Sequence, residues 1–269
     1  MSPLWRDHLR IGLCPDRLIL TGYRRGLRPV IAVRRIIPVE ASRDAAHWQA
    51  AVDSLPSALA LAKGGQTEVT VILSNHFVRY ALLPWNATLK TEAEWLAFAR
   101  HRLASVHGRA ADDWSLRVSE TARQGPRLVS AADKSLLDAL GARIAEGGAS
   151  LASVQPYLMA AFNRLRPRVG NESCWLVIVE PGRLTLALIE HGTWRAIRSR
   201  RVDDSWQAAL PEILERESAV LALEQPCTQV IVYTHEAFDA NTHGAFRVRD
   251  LTLSAGSPSS DRMLAMALG

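Results

Sequence analysis

Cysteine is scarce in this chain: Cys14, Cys174 and Cys227 are the only three in 269 residues. An odd number at wide spacing provides neither a disulfide framework nor a zinc site, and the thiols are expected to be buried or incidental. Lysine is equally rare. Only Lys63, Lys90 and Lys134 contribute to the 32 basic residues, so the net charge of +5 rests on arginine. With abundant alanine beside it, that skew reads as GC-rich coding rather than a selected nucleic-acid surface. Short arginine clusters at 24–25, 34–35 and 198–201 come with no RNP-type aromatics and no helix-turn-helix signature. No nucleic-acid partner is expected.

Long apolar runs are missing as well. None approaches the roughly 18–20 residues that span a bilayer. The opening stretch through His8 has no apolar core, so neither a direct membrane span nor a signal peptide is expected. Reaction motifs are absent too. There is no GxxxxGK[ST] loop and no Gly-x-Ser-x-Gly elbow. The eight histidines make no HxxxH or HxH pair; His101 and His107 are six apart on one expected helix and point different ways. Asp112-Asp113 and Asp203-Asp204 fall at expected element entries, where turn formation or N-capping accounts for them. No catalytic residue and no metal site is expected.

What the chain does contain is a repeat. Residues 11–21 match 177–187, with Pro15, Arg17 and Leu18 in register with Pro181, Arg183 and Leu184. Trp48-Gln49-Ala50-Ala51-Val52 returns as Trp206-Gln207-Ala208-Ala209-Leu210, and the run 71–76 returns as 230–235, each ending in histidine. The offsets are 166, 158 and 159 residues, in the same order both times. A long-period repeat constrains the fold before it constrains chemistry.

Both copies carry the same elements. In the first, β-rich runs at 9–14, 17–23 and 29–39 are separated by turn residues, and a helix follows at about 44–62, kinked or divided at Pro56. A largely apolar strand at 68–74 suits the middle of a sheet. The second copy has strands at 175–179, 183–189 and 193–202, a helix at 204–223 containing Pro211, and an apolar strand at 229–234. Between them, 77–85 reads as a strand and Thr91-Glu92-Ala93-Glu94 as a capping box. The helix it opens stacks Trp95, Ala99, Leu103 and Val106 on one stripe, with Phe98 beside it. Strands at 114–120 and 127–132, a helix at 133–146 and a strand at 151–156 complete an expected insert at about 77–156. A helix at 157–166 links the lobes, and a short C-terminal helix is expected after the Ser-rich stretch 254–260. The expectation is an α/β fold of two ribonuclease-H-like lobes of mixed sheet plus helices. The first covers 1–167 with an α+β insert, and the second covers 168–269.

That arrangement resembles the actin-like superfamily. More narrowly, it is similar to the PilM-like proteins of type IV pili and the cytoplasmic part of the GspL-like proteins of type II secretion. The resemblance rests on Val71-Ile72-Leu73-Ser74-Asn75-His76-Phe77-Val78-Arg79-Tyr80 followed by Leu82-Leu83-Pro84-Trp85, with Val154-Gln155-Pro156 and Glu180-Pro181-Gly182 in support. It implies a non-catalytic cytoplasmic scaffold, peripheral at the inner membrane, that grips the cytoplasmic tail of a PilN-like bitopic partner. The groove it implies lies between the first-lobe core and the insert, walled by 77–85 and 91–107, with Arg79, Tyr80, Trp85, Trp95 and Phe98 as candidate contacts.

The same resemblance implies where a nucleotide would sit, because actin-like ATPases hold phosphates with the turns of their two meanders. The candidates here are Asp16, Arg17, Glu180, Gly182 and Arg183. Neither turn matches an Asp-x-Gly pattern: Cys14 stands where an acid is expected, and Pro15 and Pro181 each lack a backbone N–H. No cofactor is expected. The alternative is an actin-like ATPase or sugar-kinase relative with a degenerate site for ATP and Mg²⁺.

Overall fold

The computed structural model of the protein describes residues 7–24, 30–40, 46–60, 67–120, 124–169, 171–223, 225–236, 238, 244–251 and 266–267. Three strands open the chain: β1 (Asp7–Leu13), β2 (Arg17–Arg24) and β3 (Val30–Pro38). They form an antiparallel meander, and β4 (Thr67–Leu73) then lies parallel to β1 in register from Asp7↔Thr67 to Leu13↔Leu73. The expected helix is two pieces, α1 (Gln49–Asp53) and α2 (Leu55–Ala60). The break falls at Ser54, which caps α1, and places Pro56 in the first turn of α2, where its missing N–H costs no helical bond.

The second copy repeats the plan. β9 (Cys174–Glu180), β10 (Arg183–Glu190) and β11 (Thr193–Arg201) form the meander, α6 (Trp206–Val220) follows, and β12 (Gln229–Thr234) lies parallel to β9. Strand orders are β3-β2-β1-β4-β8 and β11-β10-β9-β12-β13, with β8 (Ser150–Pro156) and β13 (Arg247–Asp250) each parallel to its neighbour. The repeat extends to irregularities. β3 has a bulge at Ala32, facing Gly22/Tyr23 of β2, and β11 has one at Arg195, facing Leu188/Ile189 of β10; the faced positions are the same 166 residues apart as the opening match. In both copies the N–H of the residue after the third strand reaches back to the first corner: Val39 to the Asp16 carbonyl at 2.8 Å, and Val202 to that of Gly182 at 3.2 Å. Trp48, preceding α1, and Trp206, opening α6, are both buried.

The segment expected as an insert divides. β5 (Val78–Leu83), α3 (Glu92–His107), a 3-10 turn (Gly108–Asp113), β6 (Trp114–Val118) and β7 (Arg127–Asp133) build a three-stranded sheet of order β5-β7-β6 with a helix on it. Its core is Leu83, Trp95, Ala99, Leu103, Trp114, Leu116 and Val129. The helix and strand that follow, α4 (Lys134–Glu146) and β8, belong elsewhere: β8 pairs with β4 and extends the first five-stranded sheet. Arg143 of α4 forms a 2.9 Å ion pair with Asp53 of α1. Strand pairing is non-local: the elements of 77–156 occur in the expected order, and of their strands β8 alone pairs outside the insert.

By packing, the chain divides into one unit of Met1–Val78, Ala132–Ala160 and Met263–Gly269, and another of Arg79–Ala131 and Ala161–Arg262. The three-stranded insert therefore groups with the second five-stranded sheet. In that unit the core includes Trp175, Val177, Leu186, Leu188, Trp206 and Leu214. One of the chain's passages between units falls inside α5 (Tyr157–Val169), which begins in the first and ends in the second. The C-terminal helix expected after residue 260 lies outside the described residues, apart from Met266 and Ala267, both buried.

Candidate functional site

The capping box at Thr91 is formed, the Glu94 N–H donating to Thr91 Oγ1 at 3.2 Å and the Thr91 N–H to Glu94 Oε2 at 2.8 Å. Backbone donation from Thr91, and then from Lys90, holds the Glu94 carboxyl below its ordinary value. This cap sets the start of α3 and so the phase of its apolar stripe. Trp95, Ala99 and Leu103 are buried as that phase predicts, but Val106 is 66% exposed. The last turn of α3 thus leaves Val106 exposed where its earlier turns are buried.

Beside that turn lies a cleft of about 240 Å³ within the second unit. One wall is residues 80–82 of β5; another is Arg102, Leu103, Val106 and His107 of α3; a third is residues 195–198 of β11, with Leu221 after α6. In β11 Arg195 is the extra residue of a bulge between Trp194 and Ala196, which breaks the strict alternation of side chains there. Both β5 and β11 are terminal strands of their sheets, and they are not hydrogen-bonded to each other. The cleft is lined by residues of two terminal strands.

Its charge is of one sign at the lining. Arg102, His107, Arg195 and Arg198 are there, and no carboxylate is. Arg195 and Arg198 have glutamates behind them, Glu190 and Glu217, each at 3.7 Å from Nε. Arg198 also donates to its neighbouring Ile197 carbonyl at 3.0 Å. Among the described residues Arg102 makes no ion pair.

Of the candidate groove residues, Tyr80 lines this cleft. Arg79 is half-buried, with its guanidinium over the Trp114 ring at 5.8 Å. Trp85, Trp95 and Phe98 come together in a different place: Trp95 is 6.0 Å from Trp85 and 6.3 Å from Phe98, ring to ring, with the Arg127 guanidinium 4.3 Å over it. Trp95 is core at 1% exposure, and Trp85, at 38%, is the cluster's exposed member. Arg102, Arg195 and Ile197 escaped notice in the sequence because nothing in local spacing shows which strand edge faces which helix end. The arginine run 198–201 was the one signal, and Arg198 is its cleft member.

The two corners lie in different units, and each stands by itself. At the β1–β2 corner the Cys14 N–H donates to the Arg17 carbonyl at 3.0 Å, and Pro15 has no N–H to offer. Asp16 is exposed, and Arg17 lies 3.7 Å from it with Nε buried and unpartnered among the described residues. At the β9–β10 corner Glu180 pairs in register with Arg183 across Pro181-Gly182. Gly182 has φ +71°, and proline followed by glycine at positive φ is a type II turn. Glu180 is buried, and the Arg183 Nε is likewise buried without a partner among the described residues. Burial first, then Arg79 and Arg201, press the Arg183 pKa down, while Glu180 opposes them. Both corners are tight hairpin turns with an arginine at the start of the second strand.

Two mixed sheets of identical order, repeated with an insert between them, define the actin-like fold. Solved structures agree. The chain is similar to a protein of actin-like ATPase fold from Bacteroides thetaiotaomicron (12% identity, 87% of this chain and 85% of that one, TM-score 0.56). It is similar to the cytoplasmic domain of EpsL, an inner-membrane component of the type II secretion system of Vibrio cholerae (13% identity, 97% and 92%, TM-score 0.60). It is also similar to a chain of a PilM–PilN type IV pilus biogenesis complex (14% identity, 85% and 81%, TM-score 0.62). No protein-family profile matches the chain, and no curated protein matches it. Among the described residues no helix is long and apolar enough to cross a membrane.

Proposed function

We propose that the protein is a non-catalytic cytoplasmic scaffold in type IV pilus or type II secretion assembly. It binds the cytoplasmic tail of an inner-membrane bitopic partner of the PilN kind, and that partner holds it at the membrane. The observation that carries this reading is the open cleft beside β5 and α3, the two elements expected as groove walls. The likeness to structures whose names belong to pilus and secretion assembly supports it. The wall opposite β5 is β11, in the same unit, rather than the first-lobe core that the resemblance implied.

The corner chemistry supports the non-catalytic part. A phosphate cradle uses several converging backbone N–H groups, and each corner gives one position to proline. At the first corner one of the remaining donors is already spent on Arg17. A second reading has one observation in its favour: Arg17 and Arg183 occupy equivalent positions, and each keeps a buried unpartnered Nε. On that reading the protein is a relative of the actin-like ATPases or sugar kinases with a degenerate site for ATP and Mg²⁺.

Two experiments separate the readings. Affinity capture with the cytoplasmic tail of a bitopic protein encoded in a neighbouring reading frame is expected to retain the full chain, and failure to retain it counts against the scaffold. Calorimetric titration with ATP and Mg²⁺ is expected to give no heat of binding. Micromolar binding abolished by Glu180→Ala favours the second reading.

A further inference from the structure

We propose that the cleft in the second unit is a side-chain socket for a partner protein: it takes one large apolar side chain from a peptide segment whose neighbouring residues are acidic. This rests on the scaffold reading in that it concerns the same cleft, and it names the feature by which a partner's segment is selected.

Size sets what can enter. At about 240 Å³ the cleft falls below the roughly 300–1,000 Å³ of sites that enclose small molecules, so it has room for a side chain while the backbone that carries it stays outside. Leu82, Val106 and Leu221 give it an apolar surface, none of them fully buried. Val106 and Val220 are, among the described residues, the most exposed large apolar side chains, both at 66%. Val106 lines the cleft from the last turn of α3, and Val220 ends α6 immediately before Leu221, which also lines it. A single exposed valine needs no explanation, but two helix ends that bring apolar side chains to one opening mark a docking surface. An anchor buried in such a socket carries most of the affinity of an interface.

Charge decides what flanks the anchor. Arg102, His107, Arg195 and Arg198 share the lining with no carboxylate. Arg102 is exposed and free of ion pairs among the described residues. Glu190 and Glu217 stand behind Arg195 and Arg198, each 3.7 Å from Nε, longer than a close charge-assisted bond of roughly 2.7–2.9 Å. The Arg195 and Arg198 side chains are 57% and 52% exposed, so an incoming carboxylate reaches them without displacing a closely held partner. Exposed ion pairs add little affinity but disfavour like charge, so the apolar anchor holds the segment and the arginines choose its sign. Free phosphate or a nucleic-acid backbone brings charge but nothing apolar to fill the socket. A basic segment meets cations and no carboxylate at the lining.

The test is fluorescence anisotropy on the full chain with a labelled pentapeptide that has phenylalanine at its centre and glutamate on either side. Controls replace the phenylalanine by alanine, or every glutamate by lysine. The acidic phenylalanine peptide is expected to bind at least tenfold more tightly than either control. Val106→Glu, at a position exposed enough to accept the change, is expected to weaken its binding at least tenfold, and Arg102→Glu at least threefold. Arg100→Glu, on the same helix but outside the lining, is expected to leave binding unchanged, and thermal unfolding checks that the variants remain folded. No binding at about 1 mM peptide, equal binding of the alanine or lysine peptide, or indifference to Val106→Glu or Arg102→Glu overturns the proposal. Displacement by inorganic phosphate or by phosphatidylglycerol vesicles, with phenylalanine and alanine peptides binding alike, makes the cleft an anion or membrane site and overturns it too. If a bitopic partner's tail binds the Val106→Glu chain with undiminished affinity, this inference falls and the scaffold stands. If the peptide series behaves as expected and no such tail binds, the scaffold falls and this inference stands.

Discussion

The two five-stranded sheets share order, register, a bulge and a corner bond, yet their central strands live in different surroundings. All seven residues of β9 are buried, from Cys174 to Glu180. β1 is buried at Leu9 and from Ile11 to Leu13, but His8 and Arg10 are only half-buried, and Arg10 lies 5.7 Å over the Tyr23 ring. A parallel central strand covered on both faces reads as a continuous apolar run, and Cys174-Trp175-Leu176-Val177-Ile178-Val179 is one. Asp7-His8-Leu9-Arg10-Ile11 alternates instead, as a strand does when one face is less covered. The same backbone plan is thus held by a fully covered core in one copy and a partly covered one in the other.

Removing the two equivalent tryptophans tests that contrast most strongly. Trp206 is 2% exposed, its Nε1 donates to Glu236 at 3.1 Å, and it stacks on Phe238 at 5.6 Å. Trp48 is 6% exposed. Trp206→Ala is expected to cost about 3–5 kcal/mol, and Trp48→Ala to fall at or below the low end of that range. Urea denaturation followed by circular dichroism ranks them, and the reverse order breaks the comparison.

The corners come next. Gly182→Ala forces a Cβ into the left-handed region at φ +71° and is expected to cost about 1–2 kcal/mol. Asp16→Ala, at the equivalent position of the first corner, is expected to stay within about 0.5 kcal/mol because Asp16 is exposed and has no such constraint on it. Thermal melts of the two variants suffice, and equal losses would mean that the two turns have the same backbone demands.

The smallest effect is a difference in pH response. His8 and Cys174 stand at equivalent positions, 166 residues apart, at the starts of the two central strands. Burial, then Arg10, lowers the His8 pKa below 6.5, with Glu68 opposing. The unfolded chain therefore binds the proton more readily, and stability declines as pH falls below about 6.5 towards the lower native value. Burial pushes the Cys174 thiol from 9.0 up to about 12, so there stability declines as pH rises above 9.0. His8→Asn is expected to flatten the acid side of the stability profile, and Cys174→Ser the alkaline side. Urea midpoints across the pH range measure both, and an unchanged acid side in His8→Asn refutes the assignment.

Much of the architecture was legible because it is written locally. Alternation and turn residues marked the meanders, the offset of 166 aligned them, and Thr91 and Glu94 announced the start of α3. The places where the sequence misled share a cause. Residues 133–156 have the right elements but join the first five-stranded sheet, since nothing in β8 itself states that β4 will be its neighbour. Val106 fits the stripe of α3 by spacing, yet it is 66% exposed and lines the cleft instead of the core. The resemblance named Trp95 and Phe98 as groove contacts while each residue by itself read rather as core, and Trp95, packed against Trp85 and Arg127 at 1% exposure, is core.

By itself the sequence determined the repeated meander, the helix after it and the corner chemistry, because these follow from side-chain periodicity and from proline's missing N–H. Only the tertiary structure decided that β5, α3 and β11 line one cleft and that Arg102 and Arg198 are among its residues. An edge strand looks like any other strand along the chain, and what lies beside it is settled by long-range packing of separate sheets.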